Sequence, residues 1–463
     1  MTLLLCPAPA ELEGPSGYLM RLAEANRLPY NLVAEEYVAL DDADDESARI
    51  VQRWRALRRS PAIWVHRRAR WCPVCLVQQT RGRIGWELLF ADACAGCGHW
   101  LLDACSTCGD PVTWRRDALA RCACGANLCE QPSRMAPSAV VKLSRAMERL
   151  ALGVPDGELP HLRGLSISQC SRLVRVLGAY GSERHQRSPQ KIVGADTLDV
   201  SWTISSVAGE ILSNWPSAFH TFLTRQSGSN PSTNGRMPGV FGGFYRALYA
   251  GLKEPAFDWV REAFEDFIAE NWTGAIGRRN RRMPNAVLKR MAWLPAPDAA
   301  AQLGVSLKRL AFLLESGRVI SRSRVTSAGR TFVMVRRSDV QALVEDVSSD
   351  ISLAEASAML GIKRQRLGRL LPHICPNAKK VTLQGTPWLV PRSWVNGWLE
   401  HIAHLPVMRA ILVQQVSLNQ LLRYGPLGEE QIANLLLDVS SGRIKPVGRY
   451  EAGRGLAGLV FDR

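Results

Sequence analysis

Cys72-Pro-Val-Cys75, Cys94-Ala-Gly-Cys97, Cys105-Ser-Thr-Cys108 and Cys122-Ala-Cys124 place eight thiols between residues 72 and 124. Two sulfurs separated by two residues can face one ion from a tight turn, and a tetrahedral Zn²⁺ needs two such knuckles. The Cys75-to-Cys94 spacing falls within the usual range for paired zinc knuckles. The stretch therefore predicts two closed, four-coordinate structural sites. Pairing in chain order is the simpler assignment, Cys72/Cys75 with Cys94/Cys97 and Cys105/Cys108 with Cys122/Cys124; a cross-braced arrangement is the alternative. His99 competes with Cys97 for one ligand position, and Cys6, Cys129, Cys170 and Cys375 read as spectators. Disulfides are the other use of eight cysteines. No charged segment follows Met1 and no apolar run approaches a membrane span, so the expectation is a cytoplasmic chain with reduced thiols and no membrane partner.

Outward from the cysteines, the charge is uneven. The chain has 463 residues and a formal net charge of +16, which makes a polyanion the first partner to consider. Residues 1–46 hold ten carboxylates against Arg21 and Arg27. Residues 47–86 hold no carboxylate and are rich in arginine, with Arg53, Arg55, Arg58, Arg59, Arg67, Arg68, Arg70, Arg81 and Arg83 interleaved with Trp54, Trp64, Trp71 and Trp86. A second acid-free stretch carries Arg278, Arg279, Arg281 and Arg282. A guanidinium binds phosphate oxygens in pairs and stacks on flat rings, so these segments are candidates for nucleic acid or an acidic protein.

Apolar periodicity predicts helical structure over residues 15–40, with Pro29 closing the element, and a short helix at Ile50–Leu57. The 71–130 module is too small and polar to form a core unaided and should consist of short hairpins pinned by metal. Residues 138–272 read as helical, interrupted by a flexible Ser/Gly/Asn/Pro-rich loop at Gln226–Gly239. The Phe219, Phe222, Phe241, Phe244, Tyr245 and Tyr249 stripe reads as core.

The last third repeats itself. Ala299-Ala-Ala-Gln-Leu-Gly-Val305 aligns with Ala356-Ser-Ala-Met-Leu-Gly-Ile362, and Leu310, Leu313 and Leu314 fall on Leu367, Leu370 and Leu371. Each copy predicts a helix, a glycine turn and a second helix, the helix-turn-helix order. Alternation over Arg318–Val325 and Arg330–Val335 adds a hairpin to the first copy, as in excisionase and MerR-type winged domains. A weaker third copy places Ile432 and Leu435 on Leu307 and Leu310, and Ser441-Gly442-Arg443 on Ser316-Gly317-Arg318. The second helix of such a unit meets base edges with its N-terminal residues. In the first copy these cations are Lys308 and Arg309, with Arg318, Arg322 and Arg324 on the wing. In the second they are Lys363, Arg364, Gln365, Arg366 and Arg369. The third offers Glu429, Glu430 and Gln431, a poor charge for phosphate, and is expected to pack or bind protein.

No phosphate loop, HExxH or Gly-x-Ser-x-Gly elbow occurs, so no catalysis is expected. A metal-dependent nuclease or recombinase stands as the reading of another class.

Three stretches carry a family resemblance: Gly14-Pro-Ser-Gly-Tyr-Leu-Met-Arg-Leu-Ala-Glu-Ala-Asn-Arg-Leu28; Trp71-Cys-Pro-Val-Cys-Leu76 with Trp86-Glu-Leu-Leu-Phe90 and Cys94; and Leu101-Leu-Asp-Ala-Cys-Ser-Thr-Cys-Gly109 with Cys122-Ala-Cys-Gly125. Together they resemble the TniQ/TnsD family, the target-selection proteins of Tn7-like and Tn5053-like transposons, over roughly residues 12–130. Cys97 stands where that family usually has a histidine, and Pro15-Ser16 where it has Glu–Ser. The resemblance implies an adaptor that marks a double-stranded DNA site and recruits a transposon AAA+ ATPase, and through it the transposase. The site is marked directly, or through a CRISPR Cascade-type complex on which the protein would serve as a scaffold. A homodimer is a further candidate arrangement, since symmetric helix-turn-helix readers gain affinity.

The fold class expected is mainly α and multidomain. It comprises a helix-turn-helix-like region at 1–70, the double zinc module at 71–130, a helical middle at 138–295, winged helix-turn-helix repeats at 296–348 and 351–403, and a degenerate third at 410–463.

Overall fold

The computed structural model describes residues 3–38, 50, 52–53, 55, 59, 62–65, 67–155, 157–182, 192–229, 235–274, 283–315, 317–348, 350–378 and 388–462. The chain is mainly helical with small sheets, and divides into two compact units, one built chiefly from Met1–Ile268 and the other chiefly from Leu288 onward.

In the first unit, α1 (Pro15–Asn26) and α2 (Tyr30–Val38) lie either side of Pro29, the residue expected to close the first helical element. Arg27 turns left-handed at φ 53° and the N–H of Leu28 donates to the Ala23 carbonyl, while Pro29 supplies no donor to continue the ladder. Of the expected Ile50–Leu57 helix, Ile50, Gln52, Arg53 and Arg55 are helical, and the other four residues lie outside the described ones. The cysteine module contains α3 (Pro73–Gln78) and paired turns joined by the bridges Trp71↔Leu102, Ala93↔Trp100, Ala104↔Pro111 and Arg121↔Asn127.

Helices α4 (Ser138–Ala151), α5 (Ile167–Gly181), α6 (Leu198–Ser213), α7 (Ser217–Ser229) and α8 (Asp258–Asn271) form the middle. α7 runs past the expected break at Gln226, whose side-chain amide donates to the Tyr180 carbonyl at 2.9 Å and holds the last turn down. Phe219, Phe222, Phe241, Phe244 and Tyr245 are buried and stack edge-to-face, with Tyr249 half-buried beside them.

The second unit opens with β1 (Trp293–Pro295), α9 (Ala296–Gln302) and α10 (Leu307–Glu315). The hairpin β2 (Ser321–Val325) and β3 (Thr331–Arg336) and the helix α11 (Arg337–Ser348) follow. β3 pairs antiparallel with both β1 and β2, and Leu294, Leu310, Leu313, Val335 and Val340 close a core of their own. The strand–helix–helix order then recurs as β4 (Asp350–Ser352), α12 (Leu353–Leu360) and α13 (Arg364–Ile374), each starting 57 residues after its counterpart. β5 (Leu389–Pro391) pairs with β4 and leads into α14 (Arg392–Ala403). After the short β6 (Val407–Met408), it recurs again as β7 (Gln415–Ser417), α15 (Leu418–Tyr424) and α16 (Glu429–Ser440), offset by 65 from the second set. β8 (Gly448–Tyr450) and β9 (Leu459–Asp462) complete a sheet in the order β6-β8-β9-β7.

These starts correct the register expected for the third set by three residues. Ile432, not Leu435, occupies the place of Leu310 and Leu367, and all three are buried. The expected alignment followed the glycines Gly317 and Gly442, and α16 is one turn longer than α10, which moves its glycine on by that turn.

Candidate metal centres and a cationic helix terminus

Cys72, Cys75, Cys94 and Cys97 form one cluster and Cys105, Cys108, Cys122 and Cys124 a second, with the sulfurs of each set within 4.8 Å of one another. The pairing follows chain order, and no cross-brace forms. Metal–sulfur bonds of about 2.3 Å in a tetrahedron require sulfurs about 3.8 Å apart. In the second set Cys105–Cys124 and Cys108–Cys122 both stand at 3.9 Å; in the first, Cys72–Cys97 is 3.3 Å and Cys75–Cys94 3.4 Å. All exceed a disulfide bond of about 2.05 Å. Cys97 completes the first set, so the histidine alternative falls away: His99 engages Cys94 through its backbone carbonyl at 2.7 Å.

Local sequence builds each knuckle. Gly98, Gly109 and Gly125 directly follow a cysteine ligand, adopt φ of 80°, 75° and 90°, and return their N–H to the carbonyls of Cys94, Cys105 and Cys122. Only glycine enters that region without strain. The crowding splits the first set electrostatically. Hydrogen bonds from Cys72 and Cys75 pull the Cys94 thiol down, and the bond to Cys75 pushes Cys72 up. A cation at the centre would let all four sulfurs ionise together. Four thiols per set leave no open coordination position, the arrangement of a structural ion rather than a catalytic one. The centres differ in access: Cys72 and Cys94 are buried and their partners half-buried, whereas Cys108 and Cys124 are exposed.

The other resembling motifs converge beside the cysteine module. The buried Glu87 carboxylate accepts from the backbone N–H of Ser16 at 2.9 Å and of Gly17 at 3.0 Å, capping α1. A Cβ on Gly14 would collide with that carboxylate, and one on Gly17 would meet the Gly82 backbone at 2.9 Å. Burial pushes Glu87 up to about 7, against those N–H donors.

The expected phosphate-binding arginines divide sharply. Arg70 leaves the set: its side chain is wholly buried and donates to Asp92 at 2.8 Å, while Ser201 and Ser205 from α6 donate to the same carboxylate. An arginine spent on a buried carboxylate has no fork left for DNA. Arg83 pairs with Glu148 at 2.5 Å and Arg68 with Asp103 at 3.1 Å. Arg59, Arg67 and Arg81 are exposed, and Arg53 and Arg55 half-buried. Arg58, Arg278, Arg279, Arg281 and Arg282 lie outside the described residues.

In the second unit, Lys363, Arg364 and Gln365 are exposed at the start of α13, with Arg366 half-buried behind them and no acid in the first turn. Arg369 is held by Glu429 at 2.9 Å. At the equivalent end of α10, Lys308 is exposed and Arg309 half-buried. The Nε atoms of Arg309 and Arg366, which match across the repeat, are buried without a partner. Arg318 and Arg322 are exposed, Arg322 lies over the Trp293 ring at 4.5 Å, and Arg324 lies over Trp272 at 5.4 Å. Sequence reasoning missed Glu87 and the Arg70–Asp92–Ser201–Ser205 network. The only signal for Glu87 was its position as the first carboxylate after the acid-free stretch.

Neither protein-family models nor curated proteins match this chain. Among the described residues no helix is long and apolar enough to cross a membrane.

Proposed function

We propose that the chain is a DNA-targeting adaptor, a transposition target-site selector of the TniQ/TnsD kind, stabilised by two structural zinc ions and without catalysis of its own. Its C-terminal strand–helix–helix sets are winged helix-turn-helix modules. The observation that carries the reading is the start of α13. Lys363, Arg364 and Arg366 crowd a helix N-terminus whose first turn holds no acid, where the macrodipole already disfavours positive charge. Such a terminus gains doubly from a phosphate or an electronegative base edge laid against it. The module at 71–130 would orient the N-terminal segment, where Glu87 ties α1 to the cysteine knuckles. The recruited partners would be the transposon AAA+ ATPase and, through it, the transposase.

The test is retention of pooled genomic DNA fragments by metal-loaded protein at about 0.2 M salt, where non-specific phosphate binding fades. Enrichment of one site supports direct selection. Retention without enrichment would move the address to a partner, such as an RNA-guided complex carrying this protein as scaffold. Cleavage of the fragments with Mg²⁺ would replace the adaptor by a nuclease.

A further inference from the structure

The third strand–helix–helix set is fused to the second rather than strung after it. One continuous core runs from Ile351 through Leu367, Leu370 and Leu371 of α13 to Ile432, Leu436 and Val439 of α16, while the first set keeps a separate core. The matching turn glycines differ in the same way. A Cβ on Gly304 in the first set would meet nothing within 4 Å. On Gly361 it would collide with the Arg454 carbonyl, and on Gly455 it would strike the Met359 carbonyl at 2.5 Å. The turn of the second set is thus clasped, backbone to backbone, by the third. Glu429, at the first position of α16, adds its ion pair to Arg369.

This bears on how many modules can read a duplex. Helices that share a leucine core lie about 8–10 Å apart, and one major groove, about 12 Å wide, admits one helix. Successive grooves on one face are about 34 Å apart, so α13 and α16 cannot each occupy their own. The first turn of α16 carries Glu429 and Glu430, which repel phosphate. Resting on the duplex-binding reading above, we propose that the second and third sets form one DNA-binding head. In it α13 reads, and the third set is a positioning element that fixes α13 through the Gly361–Gly455 clasp and Glu429.

Two arms on the full chain test this separately from DNA binding itself. In hydrogen exchange, Gly361→Ala should speed amide exchange at least tenfold in both α13 and α16, and Gly304→Ala should leave α16 unchanged. Exchange that rises only within 350–378 would overturn the fusion. In selection from random duplexes, Asn434→Ala, an exposed position of α16, should recover the wild-type consensus, and Glu429→Gln should lower the ratio of specific to non-specific affinity several-fold. A base position relaxed by Asn434→Ala would make the third set a reader and sink the proposal, as would an unchanged ratio in Glu429→Gln. Loss of all duplex binding by the wild type would instead fail the adaptor reading, and the exchange arm would still decide the clasp.

Discussion

Burial pushes the Glu87 carboxyl from an ordinary 4.5 to about 7, and this one residue gives the fold a pH dependence. Between those values the folded chain holds a proton that the unfolded chain has released. Stability attached to Glu87 is therefore complete below about pH 4.5, falls as pH rises towards 7, and is flat above it. The full span is on the order of 3 kcal/mol. Glu87→Gln keeps an acceptor for the N–H groups of Ser16 and Gly17 and removes the titration. Melting temperatures from pH 5 to 8 should show the variant gaining on the wild type as pH rises; parallel curves would disprove the assignment. The ligand set is equally a single-residue matter. Cys97→Ala should lose one of two bound metal equivalents and His99→Ala neither, as read by elemental analysis of the purified chains. The cysteine spacing pointed to Cys97, but only its sulfur beside the other three removes His99.

For elements, stability and function pull apart at the start of α13. Replacing Lys363 and Arg364 with glutamate puts acid on a positive helix terminus, which should stabilise the helix by about 0.5 kcal/mol per residue. The same change should weaken duplex binding and flatten its salt dependence by about two units of slope, one for each phosphate that is no longer neutralised. A variant that melts higher and binds less is the signature of a cationic terminus kept for a ligand. If binding is indifferent to both changes, α13 is not part of the interface. The leucine spacing of these helices was legible because a 3.6-residue period repeats in the chain. Their register in the third set was not, since the extra turn of α16 displaces the glycine that marks its end.

At the scale of the molecule the two metal centres should fail in order. The second exposes Cys108 and Cys124, while the first buries Cys72 and Cys94 and leaves Cys75 and Cys97 half-buried. A chelator should therefore strip the second centre first, leaving the helical signal of α4–α8 intact. Only loss of the first should loosen them, because Asp92, two residues before Cys94, anchors Arg70, Ser201 and Ser205 together. Circular dichroism followed beside metal release would show two steps. Simultaneous release with collapse of the helices would reject the order.

The sequence alone determined what depends on short spacing: the cysteine knuckles, the glycines that turn them, the helical periods and the two-copy repeat. The knuckles, turns and periods are each decided by residues within a few positions of one another, where backbone geometry leaves little choice, and the repeat shows because the same local pattern returns 57 residues on. Tertiary structure decided which charges remain available. Arg70, Arg67 and Arg364 are the same residue type in equally basic surroundings, yet one is consumed by a buried aspartate and two face solvent. It also decided that the third set clasps the second, because the facing leucines of α13 and α16 are about 65 residues apart in the chain, and a core of that reach leaves no periodic mark in either helix.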